Sequence, residues 1–412
     1  MNKTYQPLFT PWKIGNVEIK NRIVQCSMGG TSLFGWMEPN HFDKEAAYFL
    51  LNRAQDGVGL ILPGMQCIRD PLGIPGRKWL YQNDQMFKQL KEYMVEFHKT
   101  GAKLFIQLAA GMGRSMAING WMTMLAKNNF LNKIVSPIVD VQYICASASE
   151  VPNRWKEDVM SRPLTVKEIQ DMVHAFGKTA KKLRAAGVDG VEIHAVHEGY
   201  LLDQFTIANW NHRTDEYGGS FENRVRYALE VVAAIKEAAP QLMVEYKLPV
   251  IMENPDGTPR GKGGLQPDEA CEFAKLLEGA GIDMIQVAQA NHTGNMGDTI
   301  PPMGAMPYNW TLPVAERVKA LVSVPVATVG RVVSVEAGEK ILEDGAADII
   351  AYGRSLMCDP DIALKAATGE PIRECLNCNK GCVDAIQNRK YISCVLNAET
   401  VSYTHLTLPT KA

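Results

Sequence analysis

Two stretches of this sequence concentrate side chains that can do chemistry. The first reads Glu192-Ile193-His194-Ala195-Val196-His197-Glu198-Gly199-Tyr200-Leu201-Leu202-Asp203-Gln204-Phe205. Two imidazoles, a carboxylate and a phenol fall within seven residues, a set able to donate, accept and steer protons. A lone histidine is more often structural; the clustering points to function. The second stretch is Cys375-x2-Cys378-x3-Cys382-x11-Cys394. Four thiolates at this close, uneven spacing suit an iron–sulfur cubane or a structural zinc ion, and spacing alone leaves both open. The other five of the nine cysteines, Cys26, Cys67, Cys145, Cys271 and Cys358, are scattered and read as small buried apolar residues. An odd total argues against a complete disulfide framework.

A repeated phrase shows what positions these groups. An amphipathic helix, a glycine turn and a short apolar strand recur around Gly57 and in the segments ending at Ile193, Val287 and Tyr352. Glycine closes each helix because it accepts the left-handed conformation. The apolar run that follows suits a strand buried on both faces, as in a parallel sheet. Eight strands are placed near 20–27, 59–63, 103–108, 190–194, 243–248, 283–287, 325–329 and 348–352, with helical patterns such as Lys167–Ala186 and Asn223–Ala239 between them. Eight such units predict an α/β fold of the (βα)8 TIM-barrel type, a barrel of roughly 250 residues plus insertions. A doubly wound sheet would offer a Gly-x-Gly-x-x-Gly turn, and Met116 stands where its third glycine belongs. Leu8–Lys20 reads as a hairpin around Gly15-Asn16 that plugs the barrel's bottom. The long stretch from Gly111 to Arg162 follows strand three and reads as a substrate-covering insertion.

Composition excludes several classes. The 412 residues are 46% hydrophobic with a formal net charge of -2, enough chain for a sizeable core and no electrostatic footprint for nucleic acid or anionic membrane. No run of eighteen apolar residues offers a membrane span, and the N-terminus lacks the apolar core of a secretory signal, so a cytoplasmic protein is expected.

The first run, followed by Asn211-His212-Arg213-Thr214-Asp215-Glu216-Tyr217-Gly218-Gly219-Ser220-Phe221-Glu222-Asn223-Arg224, resembles the Old Yellow Enzyme (NADH:flavin oxidoreductase) family of flavoproteins. The resemblance continues through Lys20-Asn21-Arg22-Ile23-Val24, Gln107-Leu108, Gly330-Arg331 and Gly353-Arg354, covering residues 5–394. His-Glu-Gly-Tyr together with the cysteines is most similar to the branch of bacterial 2-enoate reductases and 2,4-dienoyl-CoA reductases. In that branch the same cysteine spacing holds a [4Fe-4S] cluster.

The resemblance implies roles. Ser27, Met28 and Gly29 contact FMN through their backbone, Gln107 bonds its pyrimidine edge, and Lys247 stands where the family usually has arginine, near N1 and O2. The alternative for Lys247 is a surface residue with a buried stem. Gly330, Arg331, Gly353 and Arg354 match the phosphate end. Tyr200 is the implied proton donor to an α,β-unsaturated carbonyl substrate (enoate, enone or enoyl-CoA) that takes a hydride from flavin N5. Many family members have one residue fewer before Gly-Tyr, so His194, His197 and Glu198 all stand as candidates for the substrate contact, with His292 as another. The implied domains are an FMN barrel over 1–370, a [4Fe-4S] segment over 371–400 and a non-native tail over 401–412, which looks like translated adapter sequence. The branch carries FAD and NAD(P)H on domains beyond the cluster, expected to be missing from this chain. The expected partner is a small unsaturated molecule, and self-association is allowed. Two other readings compete: an amine dehydrogenase or demethylase, with Trp36, Trp155, Trp210 and Trp310 as an aromatic box, and a non-catalytic electron-transfer module.

Overall fold

The computed structural model describes residues 5–35, 40–69, 78–197, 200–253, 256, 258–259, 264–289, 299–388 and 392–400. Eight parallel strands form its centre: β1 (Ile23–Gln25), β2 (Leu60–Ile61), β3 (Lys103–Ala109), β4 (Gly190–His194), β5 (Met243–Val250), β6 (Met284–Gln289), β7 (Val326–Thr328) and β8 (Ile349–Tyr352). Each pairs with the next, and β8 returns to β1 through Ile350↔Ile23 and Tyr352↔Gln25, which closes the barrel. The helices α1 (Lys44–Gln55), α2 (Asp84–His98), α3 (Val166–Ala185), α4 (Phe221–Ala238), α5 (Pro267–Gly279), α6 (Leu312–Lys319) and α7 (Val335–Glu343) each follow one strand, and α8 (Ile362–Thr368) follows β8. The expected TIM barrel is the observed fold.

Local chemistry starts and stops these helices. Asp43, Ser220 and Ser334 cap α1, α4 and α7, and Thr165 with Glu168 forms a reciprocal capping box on α3. Gly57 and Gly281 end their helices at φ +101° and +95°, where a side chain would be strained.

The barrel interior has an apolar floor and a polar upper half. Val24, Leu60, Phe105, Met243, Met284, Ala327 and Ile349 point inward and pack against Trp12, Ile14 and Ile19 of the N-terminal hairpin, whose strands pair Trp12↔Ile19. The hairpin therefore plugs the bottom. Two residues further along the strands the same inward positions become Gln107, Glu245 and Gln286, joined by Glu192 and Lys247, all buried.

The 111–162 insertion leaves the C-terminal end of β3 as three short helices (Gly120–Lys127, Asn129–Val135, Val141–Ile144) and a small antiparallel ribbon, Val151–Pro152 with Met160–Ser161. It has its own apolar cluster around Leu125, Val141 and Val159. After α8 the chain passes over the same end of the barrel. There Arg373 N–H donates to Asp359 Oδ2 (2.8 Å), Asn397 Nδ2 to the Met357 carbonyl (3.1 Å) and Met303 N–H to the Asn377 carbonyl (2.9 Å). Among the described residues no helix is long and apolar enough to cross a membrane.

Candidate active site

The C-terminal mouth of the barrel holds a buried polar group centred on Ser27, which follows β1. Its hydroxyl accepts from Gln107 Nε2 (2.6 Å, β3) and Lys247 Nζ (3.2 Å, β5) and donates to Glu192 Oε2 (3.2 Å, β4). Gln107 also bonds Glu192, and Lys247 Nζ stands 3.5 Å from Glu192 Oε1. Lys247 is thus inside the barrel, not on the surface, and its charge offsets the fully buried Glu192 carboxylate. Beside Glu192 across the ladder lies Glu245. Burial, followed by the charge of Glu192, pushes the Glu245 carboxyl well above the usual range. One Glu245 oxygen accepts from Gln286 Nε2 at 3.0 Å, and the other has no partner among the described residues. Neither glutamate was singled out from the sequence. The alternation Glu245-x-Lys247 on a buried strand, in phase with Gln107, was the available signal.

Above this group stand His194 and Tyr200. His194 ends β4, with Nδ1 3.1 Å from Gln107 Nε2. Burial, then the charges of Lys247 and His197, hold its pKa well below the ordinary histidine value, so it is neutral at physiological pH. The Tyr200 ring lies against it, with centroids 3.8 Å apart. Tyr200 caps the short helix Leu201–Thr206, which the Leu201 N–H ties to the Gly111 carbonyl at the end of β3 (2.8 Å). Burial and the nearby Cys67 push the Tyr200 phenol well above its usual value, so it stays protonated. Cys67, read from the sequence as a scattered apolar cysteine, sits on a two-residue strand that pairs Cys67↔Ala109 beside β3.

The His197 ring stands edge-on to His194, with centroids 5.8 Å apart. Its backbone is left-handed at φ +71°, an uncommon state for a residue with a side chain. Its Nδ1 donates to the Gln289 carbonyl at the end of β6 (2.8 Å), and its own carbonyl accepts from Arg154 of the insertion (3.3 Å). The structure thus brings His194, not His197, onto the face of Tyr200. Glu198, His292 and Trp36 lie outside the described residues. Of the aromatic-box candidates, Trp155 donates to the Ser115 carbonyl (2.8 Å) and the Arg114 guanidinium lies 3.8 Å over Trp210.

Met28 and Gly29 follow Ser27 at the mouth, where the Met28 carbonyl approaches Gly64 too closely for any side chain there. The ends of β7 and β8 carry the glycine–arginine pairs. Gly353 is crowded so that a Cβ would meet Cys26 Sγ at 2.9 Å. After Gly330, Arg331 is left-handed (φ +59°), donates to the Met306 carbonyl and lies over the Tyr308 ring. Its Nε is buried with no partner among the described residues, a donor that suits an anionic group such as a phosphate. Arg354 Nη1 donates to Asn379 Oδ1 (2.6 Å) and the Pro301 carbonyl (3.1 Å).

Asn379 belongs to the cysteine segment. Cys375, Cys378, Cys382 and Cys394 line a single enclosure of about 330 Å³, its solvent mouth included. Asn377 and Asn379 take left-handed backbones (φ +55° and +60°) that wrap the loop round it, and Asn377 N–H donates to Cys375 Sγ at 3.3 Å. Among the described residues no three Cys, His, Asp or Glu side chains gather as ligands to one metal ion. The four thiols share one enclosure.

The fold and these side chains agree with what the chain is similar to. The NADH:flavin oxidoreductase / NADH oxidase family matches residues 7–372. A bilirubin reductase of Mediterraneibacter gnavus is 38% identical over 403 residues, spanning 95% of this chain and 57% of that protein. A cinnamate reductase of Clostridium sporogenes is 36% identical over 418 residues, spanning 96% of this chain and 58% of that protein. A 2-naphthoyl-CoA reductase structure superposes with a TM-score of 0.76 at 22% identity, covering 97% of this chain and 58% of that one, which shows the shared fold. The chain spans little more than half the length of these relatives. The matches and the closed barrel together establish that it belongs to the NADH:flavin oxidoreductase / NADH oxidase family.

Proposed function

We propose that this chain binds FMN in the barrel mouth and a [4Fe-4S] cluster in the cysteine enclosure, and that it reduces the carbon–carbon double bond of an α,β-unsaturated carbonyl compound. When bound, FMN supplies a hydride for the β-carbon of the substrate. Ser27, Gln107 and the backbone of Met28 and Gly29 would hold its ring, Lys247 the edge that gains negative charge, and Gly330, Arg331 and Gly353 its phosphate. Cys375, Cys378, Cys382 and Cys394 would hold the cluster.

The observation that carries the reading is the pair of neutral groups at the end of β4. Burial keeps the Tyr200 phenol protonated, and it lies on a histidine that burial keeps uncharged. Tyr200 gives its proton to the α-carbon and recovers one from solvent. His194 holds the carbonyl while negative charge develops on its oxygen. Cinnamate is itself an unsaturated carboxylate, and the similarity to a cinnamate reductase supports this substrate class. The test is to reduce the anaerobic protein with dithionite and mix it with cinnamate-like acids, enones and enoyl thioesters. The expected result is reoxidation of the flavin with formation of the saturated product. Reoxidation by none of the three classes contradicts the proposal.

A further inference from the structure

We propose that Arg354 sets the reduction potential of the cluster and latches the cysteine loop to the barrel mouth, instead of serving the flavin phosphate. This rests on the reading above, that the four cysteines hold a cluster. Arg354 directly follows Gly353 at the end of β8, so its Cα is fixed by the barrel. Its guanidinium nevertheless belongs to the loop. Nη1 bonds Asn379 Oδ1 at 2.6 Å and the Pro301 carbonyl at 3.1 Å, while Asn379 Nδ2 donates to the neighbouring Ile300 carbonyl at 2.7 Å. Asn379 lies between Cys378 and Cys382 in a left-handed turn, so the bond reaches the part of the loop that bends around the enclosure.

Among the described residues lining that enclosure, Arg354 is the one charged side chain: the others are the four cysteines, Met357, Asn379 and five more apolar or neutral residues. A cubane held by four thiolates is an anion, and its charge grows by one on reduction. Net charge, hydrogen bonds to sulfur and exposure are what set the potentials of such clusters. A fixed guanidinium in the wall therefore favours the reduced form. The same residue joins the end of β8 to the loop, placing the cation on the side of the cluster that faces the barrel mouth. Arginine suits this double task because its planar fork can bond Asn379 and a carbonyl while its charge never titrates.

The test uses the whole chain purified anaerobically, as wild type, Arg354→Gln and Arg354→Lys. Iron, acid-labile sulfide and FMN are assayed, and the cluster is titrated potentiometrically with EPR detection. Removing the charge is expected to make the cluster about tenfold harder to reduce at a given potential, about 59 mV for a one-electron couple, with FMN content unchanged. Arg354→Lys keeps the charge, and its cluster is expected to stay within about threefold of wild type. Loss of FMN from Arg354→Gln with an unshifted cluster overturns the assignment and returns Arg354 to the phosphate. A shift in Arg354→Lys as large as that in Arg354→Gln also overturns it. Wild-type protein without iron and sulfide fails the cluster reading itself, before any variant is compared.

Discussion

Replacing Tyr200 by phenylalanine removes one hydroxyl and leaves the ring that lies 3.8 Å from His194, so the packing at the end of β4 should survive. The hydroxyl is the proton source in the proposed reaction. A positioned acid contributes about 10²- to 10⁴-fold, or roughly 3 to 5 kcal/mol of barrel-mouth transition-state stabilisation. Because its phenol is pushed well above the usual value, Tyr200 does not titrate near neutrality. The sign follows: the acid form is present throughout the physiological range, so the wild-type oxidative half-reaction should not slow from loss of this proton as pH rises from neutral to mildly alkaline. The assay is anaerobic stopped-flow absorbance, with dithionite reduction and reoxidation by an unsaturated acceptor measured separately. Tyr200→Phe should reduce normally and reoxidise at least about 100-fold more slowly. Reoxidation within about threefold of wild type would refute the assignment of Tyr200 as the acid.

Three further outcomes follow from the geometry. Lys247→Met leaves the Glu192 carboxylate buried without its counter-charge, which should cost about 3 to 5 kcal/mol in denaturant unfolding, and Lys247→Met/Glu192→Gln should recover part of that loss. Gly190→Ala puts a Cβ 2.5 Å from the Phe105 ring in the barrel floor, so overpacking should destabilise by about 1 to 3 kcal/mol, visible as a lower Tm. Asp56 is raised from 3.8 to about 6 by burial and then by the charge and hydrogen bond of Asp361. The folded state therefore binds the proton more tightly than the unfolded chain, and stability falls as pH rises through that window. Asp56 is partly exposed, so screening reduces the nominal effect of about 3 kcal/mol to about 1 kcal/mol. Asp56→Asn should gain that amount above pH 6 and nothing below pH 3.8, as measured by urea unfolding at both extremes.

The barrel was legible because one physical pattern repeats: an amphipathic helix, a left-handed glycine and an apolar strand of matching length. All eight placed strands overlap observed ones. The site run was legible because His194 and Tyr200 sit at a strand end, where this fold exposes side chains. What escaped the sequence is direction and distance. Nothing in Gly353-Arg354 says that the guanidinium turns to Asn379, because that depends on a loop 25 residues further on. Glu192 and Glu245 read as ordinary strand polar residues until the register sets them side by side under one lysine. The proximity of Cys67 to Tyr200 depends on a short extra strand that no periodicity marks. For His197, a candidate by type, the sequence likewise does not announce the left-handed backbone or the bond to the Gln289 carbonyl.

The most direct test of the central claim is an anaerobic visible spectrum of the purified chain, taken with iron, acid-labile sulfide and flavin assays. The account predicts flavin bands over a broad shoulder, one FMN and about four iron per chain. A colourless protein, or one that carries zinc on its cysteines and no flavin, would contradict it.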